Sequence, residues 1–125
     1  MKGPYDFRRF EELYESWEQG YNSGEGPGVF SFKRGGPTSL YGTTDMVINR
    51  ATLGRLSELT EEDRRAWAEV IHSFQNPVSG WYKKKYTLHF RSHAAAYAVA
   101  SLTLLGDTPA HPVRRAHQVA ASPEA

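Results

Sequence analysis

The chain has 125 residues, enough for one hydrophobic core, and a formal net charge of +1 from 15 basic and 14 acidic residues. Because the two signs are interspersed, the composition argues against nucleic acid or an anionic membrane as a partner. The absence of cysteine excludes disulfides and thiolate catalysis and fits a reducing compartment. The N-terminus lacks the apolar core of a signal peptide, and the longest apolar stretch, Ala94 to Leu105, is too short to span a bilayer. We therefore expect one domain over residues 1–121, a frayed tail over residues 122–125, and a cytoplasmic location.

The first predicted helix covers Tyr5 to Gln19. Aromatic residues recur at helical spacing along one face, while charged residues fill the other face. The members of this stripe, widened by Leu13, are Phe7, Phe10, Tyr14 and Trp17. A Gly/Pro-rich connection follows from Gly20 to Pro37, with a short extended piece at Val29 to Phe32.

Four more helices are predicted downstream. The second spans about Ser39 to Ser57. The third begins at Thr60, which with Asp63 resembles a capping box, and it is stopped by Asn76-Pro77. The fourth spans about Arg91 to Leu105 and is apolar nearly all round, which predicts that it is enclosed on several sides. A weaker fifth helix is expected from Pro112 to about Ala121.

A repeat of about 50 residues relates these helices. Four positions in the second helix precede four in the fourth helix by 49 residues: Thr44, Ala51, Leu53 and Leu56 pair with His93, Ala100, Leu102 and Leu105. One residue out of this register, Arg64-Arg65-Ala66 matches Arg114-Arg115-Ala116. Such a period predicts an all-α fold of antiparallel helical hairpins, with inner helices near residues 39–57 and 91–105 and one-sided helices outside.

The segment Phe74-Gln75-Asn76-Pro77-Val78-Ser79-Gly80-Trp81 resembles the glutamine-to-tryptophan loop of squalene and terpenoid cyclases. The helices from Thr43 to Leu56 and from Ser92 to Leu105 are similar to the inner helices of those cyclases and of protein prenyltransferases. The resemblance covers roughly residues 38–106 and implies an α/α toroid, of which this chain would hold about two and a half helix pairs. The acidic protonation motif of the cyclases is absent, because Asp45 stands alone between Thr44 and Met46. The resemblance therefore does not carry terpenoid chemistry to this chain.

In an α/α ring the inner helices place their N-termini on one rim, where unpaired amides favour anionic or electron-rich groups. Polar residues cluster at the starts of both predicted inner helices. Asp45 and His93 are the candidates for general acid/base catalysis. The candidate contacts to an apolar or sugar-like small molecule are Tyr41, Thr44, Trp81, Tyr82, His89 and Arg91.

Each candidate has a structural alternative. Thr44 and Asp45 sit where helix capping alone would select them. His93 could bond to a neighbouring helix, and Arg91 could pair with a surface carboxylate. His89 and His93 are four residues apart and share a helical face, but no third ligand is identifiable, so neither a metal nor another cofactor is expected.

For the tryptophan loop, the alternative is that Trp81 and Tyr82 pin the loop to the next helix pair. Two functions remain open: an enzyme domain with an α/α pocket, or a non-catalytic module that binds a partner or itself. In either case we expect a homo-oligomer or part of a longer chain.

Overall fold

The computed structural model describes residues 7–83 and 90–113. Within these two stretches the chain is all-α, as predicted, with isolated β-bridges but no strand. The elements are α1 (Arg8–Gln19), α2 (Leu40–Thr52), a single 3-10 turn (Leu56–Glu58), α3 (Glu61–His72) and α4 (Arg91–Leu104). No helix in the described part of the chain is long and apolar enough to cross a membrane.

Two helices begin with side-chain caps. The Ser39 hydroxyl accepts a hydrogen bond from the Gly42 amide at 3.0 Å, and the Thr60 hydroxyl accepts one from the Asp63 amide at 3.0 Å. The predicted cap at Thr60 is thus confirmed. The interpretation of Thr44 and Asp45 as capping residues is wrong, because α2 already begins at Leu40 and both lie beyond its first turn.

The end of α2 differs from the prediction. The helix stops at Thr52 rather than Ser57, because Gly54 adopts a left-handed conformation with φ +68°. α4 closes in the same way, with Leu105 as its C-cap and Gly106 at φ +81°. When α2 and α4 are aligned by their C-caps, Leu53 and Leu105, equivalent residues are 52 positions apart in the sequence rather than 49. The difference is close to one helical turn, which apolar periodicity alone cannot detect.

α2 and α4 pack against each other, and their first turns are in contact. Tyr41, near the start of α2, contacts His93 near the start of α4, and the Ser101 hydroxyl lies 3.4 Å from the carbonyl oxygen of Thr44 further along both helices. α3 packs against both helices. The core between the elements contains Phe30, Leu40, Val47, Trp67, Ile71, Ala94, Ala98 and Leu102, among others.

α4 is buried on one side only. Ala94, Ala98 and Leu102 are fully buried, whereas Ala96, Val99, Ala100, Thr103 and Leu104 are exposed. The prediction that α4 is enclosed on several sides is therefore wrong for the described residues. An apolar sequence shows that contact with water is unfavourable, but it does not show what covers each face.

The aromatic stripe of α1 is also largely outside the core. Phe7, Phe10 and Leu13 are 70%, 42% and 45% exposed, while Tyr14 and Glu18 are fully buried. The rings of the stripe contact one another along the helix instead. The predicted fifth helix, Pro112 to Ala121, lies outside the described residues except for its first two positions, which are not helical.

Candidate functional site

The N-terminal turn of α4 differs from those of α2 and α3, which begin with side-chain caps. Phe90 precedes it and provides no side-chain cap, and the first turn contains no acidic residue. The amides of Arg91 and Ser92 donate no hydrogen bond to any residue in the described ranges. α3 shows the usual arrangement, with the Thr60 cap and three carboxylates in its first turn. The start of α4 instead combines unpaired amides with the positive charge of Arg91.

Trp81 lies beside this turn. The Arg91 guanidinium stacks over the Trp81 ring, 4.7 Å from its centroid. The loop carrying Trp81 is fixed by the buried Gln75, whose side-chain amide donates to the carbonyl oxygens of Gly80 (2.9 Å) and His111 (2.7 Å). The Gln75 carbonyl accepts from the His111 amide at 3.1 Å. One side chain therefore joins the loop before α4 to the segment that follows it.

Between these segments and α4 lies an apolar groove of about 690 Å³. Most of its lining is apolar, and the polar contributions come from Ser92 and His111. The lining residues are Trp81, Ser92, Ala95, Ala96, Val99, Pro109, Ala110, His111, Pro112 and Val113. Small-molecule sites are concave, mostly apolar and of this size, with a few polar groups that fix orientation.

The opposite side of the same turn holds an aromatic cluster. The Tyr41 hydroxyl lies 2.9 Å from His93 Nδ1, and the Tyr97 ring contacts both, at centroid distances of 5.8 and 4.5 Å. Burial, then the neighbouring Tyr97 and Asp45, raise the pKa of Tyr41. The structure thus places Tyr41 and His93 together, with Asp45 one helical turn further along α2. The structural alternative for His93, a bond to a neighbouring helix, is confirmed.

Two of the predicted ligand contacts, Thr44 and Tyr82, lie in the interior of the protein. Thr44 is completely buried and its hydroxyl faces the Tyr41 carbonyl oxygen at 3.5 Å. Tyr82 is 2% exposed and belongs to the hydrophobic core, where its hydroxyl has no hydrogen-bond partner among the described residues. Burial is the largest factor that raises its pKa. Both residues serve packing, because amphipathic residues next to a rim can face inward as readily as outward.

Asp45 and His89 complete the comparison with the predicted site. Asp45 is half-buried and lines a separate cavity of about 190 Å³ with Trp17, Tyr21 and Phe32. It therefore does not face the groove. His89 lies outside the described residues. In the part of the chain that the structure describes, no group of three or more His, Asp or Glu residues could hold a metal ion.

Sequence reasoning missed a buried ion pair that joins α1 to α2. Arg50 donates from Nε and Nη2 to the two carboxylate oxygens of Glu18, at 2.9 and 2.8 Å, and Tyr14 donates to the same carboxylate at 2.8 Å. Glu18 is 1% exposed and Arg50 is 7% exposed. Both fall among many charged residues of amphipathic helices, so no pattern in the sequence marks them.

No family model matches the chain, and no match was found among curated proteins or among solved structures. The α/α-toroid resemblance stays a prediction, and the site must be interpreted from its own geometry.

Proposed function

We propose that this chain is a helical-repeat domain that binds a small molecule with an apolar body and an anionic group. The observation that carries the proposal is the groove on α4, whose lining includes Ser92 and Trp81. The Ser92 amide has no partner among the described residues, and Arg91 stacks over Trp81. The apolar body would lie against Trp81, Ala96 and Val99. The anionic group would accept hydrogen bonds from the Ser92 amide and from Arg91.

Binding, rather than catalysis, is the function that this geometry favours. Neither predicted acid/base residue lines the groove: His93 is bonded to Tyr41 on the other side of α4, and Asp45 lines a different cavity. General acid/base catalysis needs the side chain within hydrogen-bond reach of the reacting group.

The arrangement also supports, as a proposal, the α/α-repeat architecture. α2 and α4 pack against each other with their first turns in contact, as neighbouring inner helices of such a ring would. The exposed apolar side of α4 would then face the ligand or a further helix pair.

The proposal can be tested with anilinonaphthalene sulfonate, a fluorescent probe with an apolar body and an anionic group. Ala96 and Ala100 are both exposed on α4, but only Ala96 lines the groove. Ala96→Glu should abolish the fluorescence enhancement, because it adds a carboxylate to an apolar wall. Ala100→Glu, the matched control, should leave it unchanged, and Arg91→Ala should weaken binding about tenfold. Equal binding by Ala96→Glu and Ala100→Glu would refute the proposal.

Self-assembly is the second candidate, and the exposed apolar side chains of α1 favour it. Phe10 and Leu13 are each more than 40% exposed on one helix, and apolar patches of this kind mark interaction surfaces. Sedimentation velocity on the Phe10→Glu variant tests this function. A monomeric wild-type chain would exclude it, whereas an oligomer that dissociates in the variant would support it.

A further inference from the structure

A second cavity, separate from the groove, lies between the end of α1, the glycine-rich loop and the start of α3. Its volume is about 400 Å³, within the range of small-molecule sites. Unlike the groove it is lined by charged and amide side chains together with two aromatic rings. The lining residues that matter here are Glu18, Asn22, Arg50, Asp63, Phe30 and Trp67.

The charged part of the wall is rigid. Arg50 and Glu18 hold each other in a two-point ion pair, and the Arg50 Nη1 donates to the Arg55 carbonyl oxygen at 3.3 Å. Three of the five N–H donors of the guanidinium are used by these bonds. The wall therefore presents an acceptor and a donor group side by side in a fixed geometry.

The glycine-rich loop that lines the cavity has a backbone that a ligand could approach closely. Asn22 organises it, since its side chain accepts from the Gly24 amide at 2.8 Å and donates to the Gly26 carbonyl oxygen at 3.2 Å. Gly24 has a positive φ, and no other atom lies within 4 Å of the position that a Cβ would occupy. Gly28 instead packs directly on Trp67, where any Cβ would collide with the indole, and this contact fixes the loop to α3.

Asp63 supplies a further acceptor. Its side chain is half-buried and makes no hydrogen bond or ion pair with another residue in the described ranges, although its amide is capped by Thr60. The described lining thus carries two carboxylates and one guanidinium, which disfavours an anionic ligand. A cation is disfavoured as well, because Arg50 lies in the same wall and already engages both carboxylate oxygens of Glu18.

We propose that this cavity binds a neutral polyhydroxylated ligand, such as a sugar unit. Its adjacent hydroxyls would pair with the fixed donors and acceptors of Arg50, Asp63 and the loop backbone, and its C–H groups would contact the parts of Phe30 and Trp67 that line the cavity. This inference is independent of the function proposed for the groove, since the two sites share no lining residue.

The test is a titration of the whole chain with methyl glucoside, methyl galactoside and inositol, followed by two-dimensional amide NMR. We expect at least one of these probes to shift the amides of Gly24 and Gly26 and the indole of Trp67. Asp63→Ala should weaken that binding about tenfold or more, since the proposed hydrogen bond to a charged group would be lost. Glu62→Ala removes the same charge from an exposed neighbour and should leave the affinity unchanged.

Far-UV circular dichroism establishes that Asp63→Ala is folded, and Asp63→Leu, which also lacks an acceptor and is similar in size to Asp, provides the same comparison if it is not. The inference is overturned if none of the three probes shifts the cavity amides. Equal affinities for the Asp63 and Glu62 variants would also overturn it, as would tighter binding of tetramethylammonium at the cavity than of any of the three polyols. Shifts confined to Ala95 and Val99 would place the polyol in the groove and likewise contradict the cavity site.

Discussion

The buried Glu18–Arg50 pair offers the most decisive test of how α1 is attached to the remaining helices. Glu18→Ala removes the two carboxylate oxygens that accept hydrogen bonds from the Arg50 guanidinium, one of which also accepts from the Tyr14 hydroxyl. Arg50 would then stay buried without its carboxylate partner, and it would keep the hydrogen bond to the Arg55 carbonyl oxygen and the contacts with two aromatic rings. Leaving one member of a buried pair without its partner costs about 3–5 kcal/mol.

That cost is a large fraction of the total stability of a domain of this size, about 5–15 kcal/mol. Arg50→Met should be similarly destabilising, because it leaves the Glu18 carboxylate buried. The double variant Glu18→Leu/Arg50→Met removes both charges and refills the volume, so it should be clearly more stable than the sum of the two single effects predicts. We expect the coupling energy to be at least about 2 kcal/mol.

Urea denaturation followed by helical circular dichroism measures these free energies of unfolding. Glu61→Ala provides the control, since Glu61 pairs with Arg65 on the surface, where both side chains are more than three-quarters exposed. The loss of that pair should cost less than about 0.5 kcal/mol. A Glu18→Ala cost as small as that of Glu61→Ala, or strictly additive single effects, would refute the reasoning.

Three other predictions use the same denaturation assay. Helix propensity alone predicts that Gly42→Ala gains about 1 kcal/mol. We expect a loss of about 1–3 kcal/mol instead, because a Cβ would lie 2.7 Å from the carbonyl carbon of Phe30; a gain would contradict this packing. Gln75→Ala should lower the free energy of unfolding by about 2–3 kcal/mol and accelerate hydrogen exchange at the His111 amide. Unchanged exchange would contradict the role of the Gln75 hydrogen bonds in holding the segment around His111. Burial, together with the neighbouring Glu18 carboxylate, raises the pKa of Tyr14. The neutral phenol therefore stabilises the folded state below the unfolded pKa of about 10. This contribution to stability is lost as the pH rises through the pKa of the folded state. Tyr14→Phe should flatten that loss, and an unchanged slope would contradict the assignment.

The sequence predicted the helices well because each has a periodic apolar face and local boundary signals. Thr60 caps α3 as expected, since the capping pattern lies within four consecutive residues. The predicted end of α2 lies five residues too far along the chain, because the predicted helix includes Gly54. In the structure Gly54 has a left-handed conformation, and the helix ends before it.

The candidate site was predicted less completely, because the direction of a side chain depends on tertiary packing. Arg91 and Trp81 do meet at the start of α4, and Tyr41 does meet His93. Thr44 and Tyr82 are polar residues on predicted rims, but both are buried. The wall of the groove at Pro109 to Val113 could not be predicted, because long-range contacts place it there, among them the hydrogen bonds between Gln75 and His111.

The central claim about this protein is that a small amphipathic molecule occupies the groove beside α4. Titration of the chain with decanoate, observed by amide NMR, tests this claim because the shifted amides identify the bound surface. We predict saturable shifts at Ser92, Ala96 and Val99, reduced by Arg91→Ala. Shifts confined to Phe10 and Leu13 of α1, or no saturable shifts at α4, would contradict it.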